Sequence, residues 1–454
     1  MTEGTEPLVY VSNTSRERKE MLEAIGVSRF EDLLAPIPES VRLQEQLDLP
    51  PPLDEPALVR HLRTLAVQNV DCEEYLCFLG AGVYDHFRPS VVSALAGRGE
   101  FATSYTPYQP EMSQGMLQAI YEYQTLICAL TGMDLANASM YDAATGLAEA
   151  ALMCAGLLER SEVVVLRSVH PHYLQVVRTY LDATGHTLAE VPSAEGAGDL
   201  EALNKLLSEK TACVLLQHPN FFGCLEDVQG VVDAARRVGA CVVACVDPIS
   251  LGILRPPADY DVDVVVGEGQ GLGNPMGFGG PLLGFFACKR QFVRHFPGRI
   301  VGATVDRHGR RAYTMTLRTR EQDIRRERAT SNICTNQTLL ALAATIYLCE
   351  LGKTGLQQVA DLCLQKAHYA CDALCQLPGV EPVFPGRPFF KEFVVSLPSD
   401  PDQLNRRLLE RRIIGGLPLR RYFPDLPNAM LVCVTETRTR EDIDYFVQSV
   451  AEAL

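Results

Sequence analysis

The sequence predicts an α/β protein in three parts: a helical arm over 1–70, a large domain with a mainly parallel sheet over 71–335, and a smaller α+β domain over 336–454. Three observations carry this. From Ser161 onward, short apolar strands alternate with helical stretches, the rhythm of a helix-covered parallel sheet. Cys241–Val246 and Val262–Val266 are almost wholly apolar, as strands buried on both faces are. After Asn336 a long apolar helix (TLLALAATIYLCEL) opens a region that no longer keeps that rhythm.

Within the arm, Thr14-x-x-Glu17 is a capping box for a helix that Gly26 ends. Ser28-x-x-Glu31 repeats the device for a short helix stopped by Pro36 and Pro38. A proline-rich stretch, Leu49–Leu53, leads to Asp54-Glu55-Pro56, a cap followed by a first-turn proline. Too little apolar periodicity is present for the arm to fold alone, so it is expected to wrap on a larger body or a partner. The large domain's strands are expected at Val163–Leu166, Thr187–Val191, Cys213–Gln217, Cys241–Val246, Val262–Val266 and Leu282–Cys288. Helices are expected between them at Pro171–Leu181, Leu200–Leu207 and Val228–Val238. In the last part, Phe393–Leu397 and Ala429–Val434 read as strands, and Pro401–Arg411 and Arg440–Leu454 as helices.

Composition narrows the function. The 454 residues carry a net charge of −15 with 47% hydrophobic and 21% charged residues, which suits a globular chain without a general nucleic-acid or membrane-surface role. No apolar run reaches spanning length, and the first residues lack the pattern of a signal peptide. Fifteen cysteines without a C-x-x-C pair suit a reducing cytoplasm. His368, Cys371 and Cys375 share a helical face, which core packing explains without a metal.

The least ordinary stretch is Ser104-Tyr105-Thr106-Pro107-Tyr108-Gln109-Pro110. Each proline pushes the residue before it out of the α region, so an extended, rigid strap precedes a helix starting near Ser113. Its tyrosines are either packed core aromatics or groups lining a ligand. Parallel sheets bind ligands at the carboxyl ends of their strands. Three candidates fall there: Asp247 after the strand Cys241–Val246, the turn Tyr141–Gly146 before a helix, and the glycine-rich loop Gly267–Pro281. That loop is no dinucleotide fingerprint, because Pro275 and the following glycines do not open a helix.

The stretches FLGAGVYDHFRPSVV, YTPYQPEMSQG, LTGMDLANASMYDAATGLAEAA, GEGQGLGNPMGFGGPLLGFFA and REQDIRRERATSNICTNQ together resemble the glycine cleavage system P-protein family, decarboxylating glycine dehydrogenases, and within it subunit 1 of the two-subunit form. The resemblance covers essentially the whole chain. It implies the aminotransferase-like fold type I of pyridoxal-phosphate enzymes. It also implies that glycine condenses with pyridoxal phosphate, loses CO2 and passes its aminomethyl group to the lipoyl arm of the H-protein.

Such enzymes hold the cofactor on a lysine, with an acid beside the pyridinium nitrogen. In this fold the lysine is expected in Gly267–Pro281, which contains none. The chain has seven lysines, none between Lys210 and Lys289, and Lys289 reads as a surface charge. Asp247, Gly146 and His170 are therefore expected as parts of a cofactor site without its covalent anchor. His170 is either a relic of ring stacking or a structural histidine. The resemblance implies a lysine-bearing second subunit that carries the cofactor, two copies of each chain, and no catalytic residue on this one. Tyr105, Thr106, Tyr108, Gln109 and His86 are the candidates for lining the partner's site, His86 being equally readable as structural. The basic cluster Arg318, Arg320, Arg325, Arg326 and Arg328 is either a solvated helix face paired with Glu321, Asp323 and Glu327, or a contact for the partner or the acidic carrier. The competing functions are a complete enzyme acting alone, disfavoured by the missing lysine, and a purely structural subunit.

Overall fold

The computed structural model describes residues 13–43, 47–103 and 105–454, so Ser104 of the strap lies outside the described residues. The chain divides into two compact units, 1–69 and 70–454.

In the first unit, Ser15–Ile25 is a helix capped reciprocally by Thr14 and Glu17 and ended by Gly26 in the left-handed region, as expected. The second cap is displaced. A 3-10 turn runs over Phe30–Leu34, and it is Asp32, not Glu31, whose carboxylate accepts from the amides of Ser28 (3.2 Å) and Arg29 (2.9 Å). Asp54 caps the helix Glu55–Ala66 by accepting from the Ala57 amide at 2.8 Å. None of these helices buries a residue; Phe30, Leu58, Leu62 and Leu65 are all exposed.

The second unit is built on a seven-stranded sheet. Its strands are β1 (Leu135–Ala136), β2 (Glu162–Leu166), β3 (Thr187–Val191), β4 (Thr211–His218), β5 (Cys241–Val246), β6 (Val264–Glu268) and β7 (Gly284–Cys288), in the order β1-β7-β6-β5-β4-β2-β3. Strands β2 to β6 are mutually parallel, and β7 runs antiparallel to both β6 and β1. The side-chain period of two divides each central strand between two cores. Val242, Ala244 and Val246 face one, and Cys241, Val243 and Cys245 the other. The carboxyl ends of the parallel strands share one edge. The segments leaving there include Arg167–His170, Asp247–Ile249 and Gly269–Pro281.

Two features differ from the sequence expectation. Ile300–Val305 and Arg311–Thr316 form an antiparallel hairpin that no strong alternation announced. The helix after Asn336 extends over Thr338–Leu374, bent at Gly352 (φ 58°), and it belongs to two cores at once. Its residues up to Cys363 pack under the main sheet, while Ala367, Ala370 and Leu374 pack in a C-terminal core with Phe78, Phe393 and Phe446. By length and composition it could cross a membrane; its packing makes it the helix that joins the two cores. A four-stranded antiparallel sheet of Glu381–Pro382, Glu392–Ser396, Ala429–Cys433 and Leu417–Pro418 completes the C-terminal region. Leu76–Cys77 pairs in parallel with Ile413–Ile414, so the segment from Phe78 onward is launched from the C-terminal core toward the edge carrying Asp247.

Candidate functional site

Asp247 leaves β5 where Val246 pairs with Gly267. Its carboxylate does not face an open cleft. Lys391, just before the strand Glu392–Ser396, places its ammonium 2.7 Å from Asp247 Oδ2, and the two side chains are 2% and 12% exposed. Every direction around that ammonium is used. It donates to His86 Nε2 at 2.9 Å and lies 3.4 Å from the centre of the Tyr84 ring, a close cation–π contact. Burial opposes the charge, but Asp247 and its neighbours outweigh it and hold the ammonium's pKa above its ordinary range. A lysine ammonium only donates, so His86 Nε2 accepts and Nδ1 carries the proton, which it donates to Glu436 Oε2 at 2.7 Å.

The segment Gly80–Phe87 forms the lid of this network. Glu392 accepts from the Ala81 amide (2.6 Å) and the Tyr84 hydroxyl (2.9 Å), and burial pushes its carboxyl up to about 7. Gln270, from the glycine-rich loop, brackets the Tyr84 backbone, accepting from its N–H at 2.9 Å and donating to its carbonyl at 3.1 Å. Gly82 has φ +96°, and a Cβ there would sit 3.1–3.3 Å from Tyr173 and His170, so the lid's backbone lies directly on those rings.

His170 is held from three sides by this chain. Nδ1 accepts from the His172 amide as the cap of the helix Pro171–Thr184, Nε2 bonds the Ala81 carbonyl at 2.8 Å, and the ring stacks on Tyr173 with centroids 4.4 Å apart. Burial lowers its pKa to about 4.

The turn at Tyr141–Gly146 presents the amides of a helix N-terminus, which could take an anion. It offers them to this chain's own carboxylates. Asp142 Oδ1 accepts from Thr145 N–H at 2.7 Å in a capping box, and Glu268 Oε2 accepts from Ala143 N–H at 3.1 Å. Gly146 lies inside the helix, its amide spent on the Asp142 carbonyl, and it packs against Val266. Glu268 also accepts from Gln270 (3.0 Å) and Leu283 (2.8 Å), yet burial still pushes its carboxyl up to about 7.

These residues do not fit pyridoxal phosphate. Asp247, the acid that would pair with the ring nitrogen, is paired with Lys391. The helix N-terminus that would hold a phosphate is closed by two carboxylates, which would repel one. A cavity of about 30 Å3 remains between Tyr84, Tyr173, Asp247, Glu268 and Lys391. A ligand of that size class needs on the order of 300 Å3 or more. Among the described residues of Gly267–Pro281 there is no amine, and Lys289 is at the opposite edge of the sheet, where Cys288 pairs with Val264. There it bridges Asp261 (2.5 Å) and Asp263 (3.0 Å) rather than standing free.

Sequence reasoning missed Lys391, Glu392 and Glu436. The signal for the first was present: one lysine inside FFKEFVV, a run otherwise built for a core. His86 leaves the group of candidates that line a partner's site, because its side chain is 2% exposed. His86, Glu436 and Cys363 place ligand-type atoms within 4.8 Å of one another, but Cys363 Sγ also donates to Glu436, and the Lys391 ammonium beside His86 opposes a cation. His368 stacks on Phe389 and Cys371 lies in the C-terminal core.

The strap is the opposite case. Pro107 is buried, whereas Tyr105 is 84% and Tyr108 45% exposed, and Gln109 faces solvent. It is not extended throughout: the Tyr108 amide donates to the Thr106 carbonyl at 2.8 Å, a tight turn that proline's fixed φ permits at Pro107. The two tyrosines therefore do not share one extended register. Arg299 and Arg318 hold Tyr108, their guanidinium carbons 5.2 and 5.0 Å from its ring centre. The arginine cluster is accordingly not one solvated helix face. Arg320 is buried and donates to the carbonyls of Phe296 and Gly298, Arg318 pairs with Asp323, and Arg328 stays exposed beside Glu327.

Comparison with known proteins is consistent across sequence and structure. The profile of the family described as "Glycine cleavage system P-protein" matches residues 9–450. A protein of Desulfitobacterium hafniense named "probable glycine dehydrogenase (decarboxylating) subunit 1" is 52% identical over 98% of this chain and 99% of its own length. A Thermomicrobium roseum protein of the same name is 51% identical over 98% of this chain and its full length. Among solved structures, a glycine decarboxylase (P-protein) of the glycine cleavage system in inhibitor-bound form superposes with a TM-score of 0.89 at 46% identity, covering 98% of this chain and all of that one. A sphingosine-1-phosphate lyase of Burkholderia pseudomallei (TM-score 0.66, 16% identity, 92% of this chain and 94% of that one) shares the fold. The architecture is pyridoxal-phosphate fold type I.

Proposed function

Because the chain belongs to the glycine cleavage system P-protein family, we propose that it is the lysine-free subunit 1 of a decarboxylating glycine dehydrogenase, active only with a lysine-bearing subunit 2. The partner's lysine carries pyridoxal phosphate. The assembly, two copies of each chain, decarboxylates glycine and passes the aminomethyl group to the lipoyl arm of the H-protein. The reaction is cytoplasmic, in keeping with free cysteines throughout the described chain.

One observation carries the division of labour: the cofactor-like site is closed by Lys391 on Asp247, while the strap turns Tyr105 and Gln109 outward with no side-chain partner among the described residues. In this reading Tyr105, Thr106, Tyr108 and Gln109 reach the partner's cofactor. Glycine presents little beyond a carboxylate and an amine, so its recognition needs donors brought close, and aromatic walls exclude water while CO2 leaves. The exposed apolar faces of the arm, Leu58, Leu62 and Leu65 among them, suit burial in the same partner.

Co-expression with the lysine-bearing subunit tests this. One stable complex with glycine–CO2 exchange activity is expected, and no exchange from this chain alone. Separate elution of the two chains at micromolar concentration, or exchange by this chain alone, contradicts it.

A further inference from the structure

We infer that Arg299 is a positioning residue: it turns the hydroxyls of Thr106 and Tyr108 outward as paired donors for a single oxyanion in the partner's site. This rests on the reading of the strap given above. Arg299 is 6% exposed, and its backbone is pinned because its carbonyl accepts from the Ala138 amide at 2.8 Å. Its Nη2 donates to Tyr108 Oη at 2.8 Å and its Nη1 to Thr106 Oγ1 at 3.5 Å.

The chemistry of those two contacts is directional. A guanidinium has five N–H donors and no acceptor, so both hydroxyl oxygens must accept from it. Each hydroxyl's own proton therefore points away from Arg299. Among the described residues neither proton has an acceptor. The Tyr108 ring cannot swing to find one freely, because Arg318 also lies against it, 5.0 Å from its centre.

The charge around this point is three guanidiniums, Arg299, Arg318 and Arg320, against the carboxylates of Glu321 and Asp323, the latter paired with Arg318. Arg299 Nε and Arg318 Nε are both buried without a partner among the described residues. Two outward O–H groups held by Arg299, in surroundings that stay net positive by one charge, favour an anion with at least two oxygens over an amine or a neutral ring. In a site that decarboxylates glycine on pyridoxal phosphate, two groups have that chemistry: the cofactor's phosphate and the substrate's carboxylate.

The experiment is a double-mutant cycle in the complex with the lysine-bearing subunit, using Tyr108→Phe, Arg299→Gln and the double variant. Two equilibrium affinities are read: pyridoxal phosphate for the cofactor-free complex, and glycine for the loaded one. Each single change is expected to weaken the same affinity by about tenfold, and the double variant by little more than either, because Arg299 acts through the hydroxyl. A shift in cofactor affinity alone identifies the phosphate as the occupant; a shift in glycine affinity alone identifies the carboxylate. Effects that multiply to about a hundredfold, or Arg299→Gln leaving both affinities unchanged, overturn the inference while the strap reading stands. If Tyr108→Phe also changes neither affinity, the strap reading falls with it. Should Arg299→Gln fail to assemble, Arg299→Lys keeps the charge but loses the fork that serves both hydroxyls, and an affinity equal to wild type in that variant overturns the inference too.

Discussion

The Asp247 site and the strap at 105–109 differ in what folding leaves over. Around Asp247 almost every polar atom meets a complement inside the chain: Lys391 on the carboxylate, His86 on Lys391, Glu436 on His86, and Asp142 and Glu268 on the helix N-terminus. On the strap Arg299 holds the hydroxyls of Thr106 and Tyr108, whose protons meet no acceptor among the described residues. A buried polar group without a partner is expensive, so a site that has lost its ligand must recruit replacements or be lost from the fold. An exposed group carries no such cost, because water satisfies it. The comparison teaches that one chain can be closed at a cofactor-like site and, in the proposed assembly, offer donors to a cofactor at another.

The largest expected effect tests the closure. Lys391→Met removes the ammonium and strands a buried carboxylate. Denaturant unfolding should show a loss of about 3–5 kcal/mol, and a second change, Asp247→Asn, should recover much of it. A loss under about 1 kcal/mol from Lys391→Met would mean that Asp247 is not dependent on it.

The strap comes next. Tyr105→Phe keeps the ring and removes a hydroxyl that has no partner among the described residues. If that hydroxyl reaches the partner's reacting centre, exchange activity in the reconstituted complex should fall by roughly ten- to a hundredfold, with unfolding and complex formation unchanged. Wild-type exchange would return Tyr105 to the role of a surface aromatic.

A pH series sharpens the contrast. Burial raises the Glu392 carboxyl from 4.5 to about 7. Between those values the folded chain holds a proton that the unfolded chain has released. The stabilisation from Glu392 is thus complete below about 4.5 and is lost as pH rises through about 7. Relative to Glu392→Gln, the wild-type chain should gain up to about 3 kcal/mol as pH falls from 8 to 5, whereas Tyr108→Phe should run parallel to wild type. Parallel curves for Glu392→Gln would show that this carboxyl titrates normally.

The smallest effect is at the helix that would otherwise receive a phosphate. Asp142→Ala removes its capping box and should cost about 1 kcal/mol in unfolding free energy. No change would mean that Asp142 is not what satisfies the helix terminus.

Much of this was readable in the sequence, for identifiable reasons. The strands of the parallel sheet declare themselves because burial on both faces demands apolar runs such as CVVACV. Asp247 could be placed because it follows such a run, and the missing lysine could be noticed because its loop is continuous in sequence. What closes the site could not, since Lys391, Glu392 and Glu436 meet Asp247 and His86 only through the docking of the C-terminal sheet. The hairpin at Ile300–Thr316 was hidden for a related reason: its strands are partly exposed and carry Gly302, Thr304 and Arg311 instead of a clean alternation. The turn at Pro107 escaped because proline's φ suits an extended strand and a tight turn equally well.

The central claim is that this chain holds no cofactor of its own. The complex with the lysine-bearing subunit, loaded with pyridoxal phosphate, reduced with borohydride and digested, puts it to a direct count. The account predicts one labelled lysine per pair of chains, on the partner, and no labelled peptide containing Lys289 or Lys391. Stoichiometric label on either lysine of this chain would contradict it.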